Sequence, residues 1–288
     1  MALLANALSR GSLRIRAGVM LGGGLALLAG PAHADSLLTA HYRARLAILP
    51  INFASATLKA KVLDRGRYTV DLEARGLGFG IDGHTTGTVV RNALVPRTVA
   101  IDTLDSGERK QSIRMTLLGG RVQSESVVPP MPPYPDRVPL TREDRRNVLD
   151  PLTAMVLPLA PGMEASSPEV CTRTLPLFEG TERFNISMSF LRSETVKTAK
   201  GYEGPVVVCR ATYKAIAGHR KRKQVGYMEN NRTIEAWLAP VGDSRFLVPW
   251  RISLGTMLGP LIIEANDFQT NDLGTAELRG PSKNGTSR

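Results

Sequence analysis

Few side chains in this sequence have the type and spacing that reactive chemistry needs. Cys171 and Cys209 are the two cysteines. A pair cannot supply a four-ligand zinc site, and their spacing is not the C-x-x-C arrangement that lowers a thiol pKa for redox work. In an oxidising compartment an even count reads as a structural disulfide, with two buried thiols as the alternative. His41, His84 and His219 make no H-E-x-x-H or H-x-H pair, so no metal ligands are assigned. A G-x-S-x-G elbow, an S-x-x-K pair and a G-x-x-x-x-G-K-[ST] loop are all missing from the sequence. The glycine-rich stretch Gly76 to Gly87 contains His84, but no helix pattern follows it. It therefore reads as a turn or bulge rather than a phosphate cradle, and His84 as a solvated residue. No catalytic residue and no cofactor follow from these patterns. Carboxylates brought together by the fold leave a hydrolase of envelope glycans or lipids as the alternative function.

The most concentrated chemistry on the surface is basic. His219, Arg220, Lys221, Arg222 and Lys223 run consecutively after Arg210 and Lys214. Such a run attracts polyanions by counterion release, and it also suits a solvated turn that blunts a sheet edge. No recognition-helix or stacking-aromatic pattern accompanies it, so nucleic acid is not expected as a partner. In an exported protein the anions within reach are phospholipid headgroups, lipopolysaccharide phosphates and peptidoglycan carboxylates. A periplasmic protein is a further candidate partner.

The elements that must position these residues show a period of two. Tyr68, Val70, Leu72 and Ala74 alternate with Arg67, Thr69, Asp71 and Glu73. The same alternation runs through Leu58 to Val62, Ile113 to Leu117, Phe184 to Phe190 and Trp250 to Leu254. Strands send successive side chains to opposite faces, so this pattern predicts antiparallel sheet with one buried and one wet face. Turn signals such as Asp105-Ser106-Gly107 and Gly119-Gly120 separate the runs. The expected fold is mainly β, a curved antiparallel meander (a β-spiral or open half-barrel).

Six prolines interrupt it at 127–139, which reads as an extended connector. A short helical segment is expected near 142–158. Thr141 with Asp144 resembles a capping box there, and Asp150-Pro151 an N-cap with a first-turn proline. The basic run is expected to lead into a strand at Val225–Met228.

At the N-terminus, Arg10, Arg14 and Arg16 precede an uncharged run from Ala17 to Gly30, and Ala32-His33-Ala34 follows. Basic, apolar and small-residue regions in that order read as a secretory signal peptide, 1–34, cleaved near Ala34. Fourteen helical residues at about 1.5 Å each cannot cross a hydrocarbon core of about 30 Å. The expected product is periplasmic and does not span the membrane. It is read as one β-rich domain over 35–274 with a mobile tail at 275–288. Cleavage removes three arginines and no acid, which takes the net charge from +11 to +8. A membrane barrel is disfavoured by the proline connector and by an aromatic content of 5%, too low to supply the girdles.

Several segments in order carry a resemblance: Asn147 to Met155 with its Asp-Pro-Leu-Thr-Ala centre, Cys171-Thr-Arg-Thr-Leu-Pro-Leu-Phe-Glu-Gly180, and Cys209 to His219. The arrangement resembles the envelope family known as domain of unknown function 3108, over about Tyr42 to Phe268. The resemblance implies an exported, β-rich protein of Gram-negative bacteria, and it brings no catalytic residues. There is a looser likeness in style to periplasmic carriers of lipoprotein and lipopolysaccharide. Together these lead to an exported, non-catalytic envelope protein that binds a lipid, glycan or protein partner and supports envelope integrity.

Overall fold

The computed structural model describes residues 36–48, 51–63, 66–91 and 93–272. The expected signal peptide and tail lie outside these residues. The first seven strands are β1 (Ser36–Leu46), β2 (Asn52–Leu63), β3 (Arg67–Gly76), β4 (Phe79–Val90), β5 (Ala93–Asp105), β6 (Glu108–Leu118) and β7 (Arg121–Val128). After a long connection come β8 (Leu157–Pro158), β9 (Arg173–Phe178), β10 (Arg183–Lys197), β11 (Lys200–Gly201) and β12 (Glu203–Ala217). One helix, α1 (Lys223–Asn230), precedes β13 (Ile234–Pro240), β14 (Phe246–Thr256) and β15 (Gly259–Asp272).

All fifteen strands belong to one sheet, in the order β7-β6-β5-β4-β3-β2-β1-β15-β14-β13-β12-β10-β9, with β11 against β15 and β8 against β14. Two antiparallel meanders are thus joined by β1 pairing with β15 in the middle. The sheet is not closed into a barrel: β7 and β9 end the order without pairing to each other among the described residues. Its two ends nevertheless meet. Gly180, in the turn between β9 and β10, has a φ of +102°, and a Cβ there would lie 2.4 Å from Ile113 on β6. Glycine is the residue that fits both constraints.

The chain between β7 and β9 closes this seam. Val148 N–H donates to Gly120 O (2.9 Å), Leu149 N–H to Pro176 O (2.8 Å), and Phe178 N–H to Leu149 O (2.9 Å). The same strap then turns inward. Leu152, Met155 and Val156 pack in the main core with Leu38, Leu58, Tyr68, Val70, Trp237 and Phe268. The Asp-Pro-Leu-Thr motif explains itself here. Asp150 Oδ1 accepts the N–H groups of Leu152 and Thr153, both at 3.0 Å, as a helix cap does. Leu152 fills a gap over β4 that exists because residue 83 is glycine, where a Cβ would sit 2.9 Å from Leu152 Cδ1. Thr153 meets the Tyr68 hydroxyl at 2.8 Å.

The strap then crosses to the other face of the second meander. Leu157, Leu159, Val170 and Cys171 pack on Val207, Cys209, Leu238 and Leu247. The Cys171–Cys209 disulfide joins the two, with Cα atoms 5.4 Å apart. The expected pairing is therefore present and wholly buried.

Four expectations are refined or corrected. The helical segment near 142–158 consists of two 3₁₀ turns, Glu143–Arg145 and Thr153–Met155. The connector expected from residue 127 starts two residues later, because Val127 and Val128 still pair with Ile113 and Ser112. Val225–Met228, expected as a strand, lies in α1. The alternation at Phe184–Phe190 does not give one dry face. A bulge between Phe190 and Arg192 leaves Phe190 40% exposed, while Leu191 packs against the core instead.

Candidate functional site

The basic segment begins where β12 ends. Lys214 and Arg210 lie three and seven residues back from Ala217 along that strand. At about 3.3 Å per residue Arg210 is about 23 Å from the strand's end, too far to share a surface with the turn. Lys214 Nζ sits 3.5 Å from Glu229 of α1. Arg220 is committed to the proline-rich connector. Its Nε donates to both oxygens of Asp136 (2.9 and 3.1 Å), and its guanidinium stacks 3.8 Å from the centre of the Tyr134 ring. That guanidinium holds the Asp136 carboxyl below the usual carboxylate range. Backbone bonds fix the same junction: Val138 N–H donates to His219 O and Lys221 N–H to Asp136 O. His219 is half-buried, and its Nδ1 has no hydrogen-bond partner among the described residues. Lys221, Arg222 and Lys223 are exposed and enter no ion pair among the described residues. Of the seven basic positions, these three form the compact exposed charge.

His84 is not in a loop. It stands in the middle of β4, directly across the ladder from Asp71 on β3, with Nδ1 2.6 Å from Asp71 Oδ1. Both side chains are about half exposed. They border an open depression of about 300 Å³ with Lys59, Glu73, Asp82 and Asp102. The Arg114 hydrogen bond keeps Asp102 ionised by lowering its pKa. Sequence spacing could not bring Asp71 and His84 together, because the strand register does so. Cross-strand polar pairs of this kind are ordinary features of a wet sheet face. Among the described residues no group of three His, Cys, Asp or Glu side chains could hold a metal ion.

A second cluster, also invisible in the sequence, surrounds Trp237. Arg251 and Arg192 lie 4.5 and 5.4 Å from its ring centre, and its Nε1–H donates to Glu194 at 2.8 Å. Arg192 also reaches Glu235, and Arg251 reaches Glu264 at 3.4 Å. Each charge is met by an opposite one, which is what a structural cluster needs. Among the described residues the buried polar side chains each have a structural partner. Three of them hold the strap: the Thr85 hydroxyl donates to Thr98 O and Asp150 Oδ2, Thr153 meets Tyr68, and burial raises the pKa of Asp150. Thr198 accepts from Trp250 Nε1, and Asn231 donates to Gly255 O.

The model of the family described as "Protein of unknown function (DUF3108)" matches residues 39–266. This chain belongs to that family. The Asp150 turn, the Cys171 segment and the Cys209 strand all lie within the match. No curated protein matches. Among solved structures, one of a protein from Parabacteroides distasonis ATCC 8503, described as a "putative lipoprotein", aligns over 83% of this chain and 97% of its own. The identity is 8% and the TM-score 0.31, so that likeness carries no argument. Among the described residues no helix is long and apolar enough to cross a membrane.

Proposed function

We propose that this protein is an exported, non-catalytic component of the bacterial cell envelope. It offers its outer surface to a lipid, glycan or protein partner and supports envelope integrity. The observation that carries this reading is the filled interior. A carrier of acyl chains needs an open apolar groove, whereas here Leu152, Met155 and Val156 of the strap occupy that space. The buried Cys171–Cys209 bond supports an oxidising address.

The test pairs location with binding. In fractionated cells the protein is expected in the periplasm or envelope, with both thiols unreactive to maleimide until a reductant and denaturant are added. The purified protein is expected to bind at least one of membrane vesicles, lipopolysaccharide or peptidoglycan sacculi, and its deletion to raise detergent sensitivity. A cytoplasmic protein with free thiols, or one that binds none of the three and whose deletion leaves detergent sensitivity unchanged, overturns the reading.

The hydrolase alternative has one favourable observation, the 2.6 Å contact between His84 and Asp71. At about half exposure each, these groups have no dry site in which to act on a substrate.

A further inference from the structure

Among the described residues thirteen large apolar side chains are exposed, and six of them sit at three hairpin turns. Ile48 (66%) and Ile51 (59%) flank the turn from β1 to β2. Leu77 (81%) and Phe79 (45%) mark the turn from β3 to β4, and Met257 (89%) and Leu258 (66%) the turn from β14 to β15. Their hairpins are neighbours in the sheet, in the order β4-β3-β2-β1-β15-β14. Register places all three turns at one end. Gly76 pairs with Ala54, Leu46 with Leu261, and Thr256 with Gly259. Adjacent turns touch: Ala47 N–H donates to Pro260 O (2.8 Å), and a Cβ at Gly259 would lie 3.2 Å from Ile48. With strands about 4.8 Å apart, each two-strand hairpin advances the row by about 10 Å, so the tips span about 20 Å. The next hairpin, β5–β6, ends the row with Asp105, Ser106, Gly107 and Glu108.

Cations stand behind this apolar row. Arg43 and Arg45 on β1 enter no ion pair among the described residues. Arg45 lies three residues behind Ile48, one residue before β1 ends and its turn begins, so at most about 10 Å separates the two. Lys221 and Arg222 precede α1 and Lys223 opens it; Tyr227 of that helix and Asn231 just after it reach the base of the third tip, where Tyr227 Oη and Asn231 Nδ2 both donate to Gly255 O (3.1 and 2.8 Å). The acids at this end are largely spent on partners: Glu264 on Arg251, Glu73 and Asp82 on Arg75, Asp105 on Lys110, Glu229 on Lys214.

We infer that this end of the sheet is a membrane-contact surface, whose tips enter one leaflet of a phospholipid bilayer bearing anionic headgroups. An interfacial element buries apolar side chains about 5–10 Å into the headgroup–acyl boundary and keeps its cations at the phosphates. The spacing from Ile48 back to Arg45 falls within that depth. A row of apolar turn residues backed by unpaired cations is the combination that a fluid, anionic layer takes up. This inference rests on the envelope reading above and names its partner.

The test is sedimentation of the purified exported chain with phosphatidylethanolamine vesicles containing phosphatidylglycerol, against phosphatidylcholine vesicles. Wild type is expected to sediment with the anionic vesicles. Met257→Ser with Leu258→Ser should weaken partitioning by about tenfold or more, given two large apolar side chains removed. Lys221→Ala, Arg222→Ala and Lys223→Ala together should weaken it on anionic vesicles alone and flatten its salt dependence. Glu108→Gln, on the polar tip, should not weaken it. All these positions are exposed, and circular dichroism confirms that each variant is folded. Met257→Trp supplies a direct reading: its added emission should shift to the blue on anionic vesicles. Folded wild type that ignores both vesicles, or tip variants that bind as wild type does, overturns the inference. Binding to sacculi or lipopolysaccharide but not vesicles overturns it while keeping the envelope reading; binding to none of these, with detergent sensitivity unchanged on deletion, overturns both. A concentration-dependent dimer abolished by Met257→Ser, without vesicle binding, would assign the tips to self-contact and overturn it too.

Discussion

Between β2 and β7 the sheet has one dry face and one wet face, while β12 to β14 are dry on both faces where Val206–Cys209, Trp237–Ala239 and Phe246–Trp250 lie side by side. Tyr68 and Val70 are buried on β3 while Asp71 and Glu73 on the other face remain in water. On β12, by contrast, Val206, Val207, Val208 and Cys209 are all buried in succession, as is every residue from Phe246 to Trp250 on β14. Both regions are antiparallel, so pairing does not explain the difference. Cover does: the strap over 157–171 lies on the second region and leaves the first bare. A continuous apolar run reports that both faces of a strand are covered, whichever way its neighbours point.

Removing the disulfide should strain this contrast most. Cys171→Ala with Cys209→Ala is expected to lower stability by about 4 kcal/mol on the chain-entropy account, seen as a lower urea midpoint. Hydrogen exchange should speed up in β12–β14 and leave β3–β5 protected; an even loss of protection would make the two regions one cooperative unit and dissolve the distinction.

Next comes truncation in the doubly covered layer. Leu247→Ala should cost about 3 kcal/mol, whereas the half-buried Leu72→Ala on β3 should cost about 1 kcal/mol. Equal losses in chemical denaturation would break the comparison.

Asp150 probes the strap where it meets the first region. Its folded pKa lies above its unfolded value because burial penalises the charge. The contribution it makes is therefore present at low pH and is lost as pH rises from the unfolded carboxylate range through the folded pKa. Asn keeps an oxygen for the Leu152 and Thr153 N–H groups and brings no charge to be buried. Asp150→Asn should raise the Tm at neutral pH, with the gap closing as pH falls to about 4. A Tm difference independent of pH would contradict the buried-acid account.

His84→Ala should change least. An exposed cross-strand pair is worth within about 0.5 kcal/mol, so the Tm should barely move.

Much of this was legible in the sequence. Alternation at Tyr68–Ala74 and Ile113–Leu117 names strands because one face there is wet. The cysteines name their own partnership, being two in number. Three features were not legible, two because they depend on residues far apart in the chain and one because it depends on the exact register of a hairpin. Gly83 looks like loop chemistry until Leu152, 69 positions later, is seen to need its space. Arg220 counts as surface charge until Asp136 and Tyr134, more than 80 positions earlier, absorb it. The pairing of Asp71 with His84 is a product of register. The helix at Lys223–Asn230 was missed for a different reason: it buries no residue and so carries no apolar stripe.

The pairing of β1 with β15 has a consequence for how the chain reaches this state. Ser36 lies opposite Asp272, so the first described strand waits for the last before its second edge is satisfied. A polypeptide emerging amino-end first can zip β1 through β7 by short hairpins, yet it must hold an open strand edge until nearly everything else has arrived. Such long-range pairing slows folding and leaves a sticky template exposed meanwhile. The same closure sets the two ends of the sheet-forming chain side by side. Joining them and opening the chain at another turn would give the early meander its missing neighbour from the start.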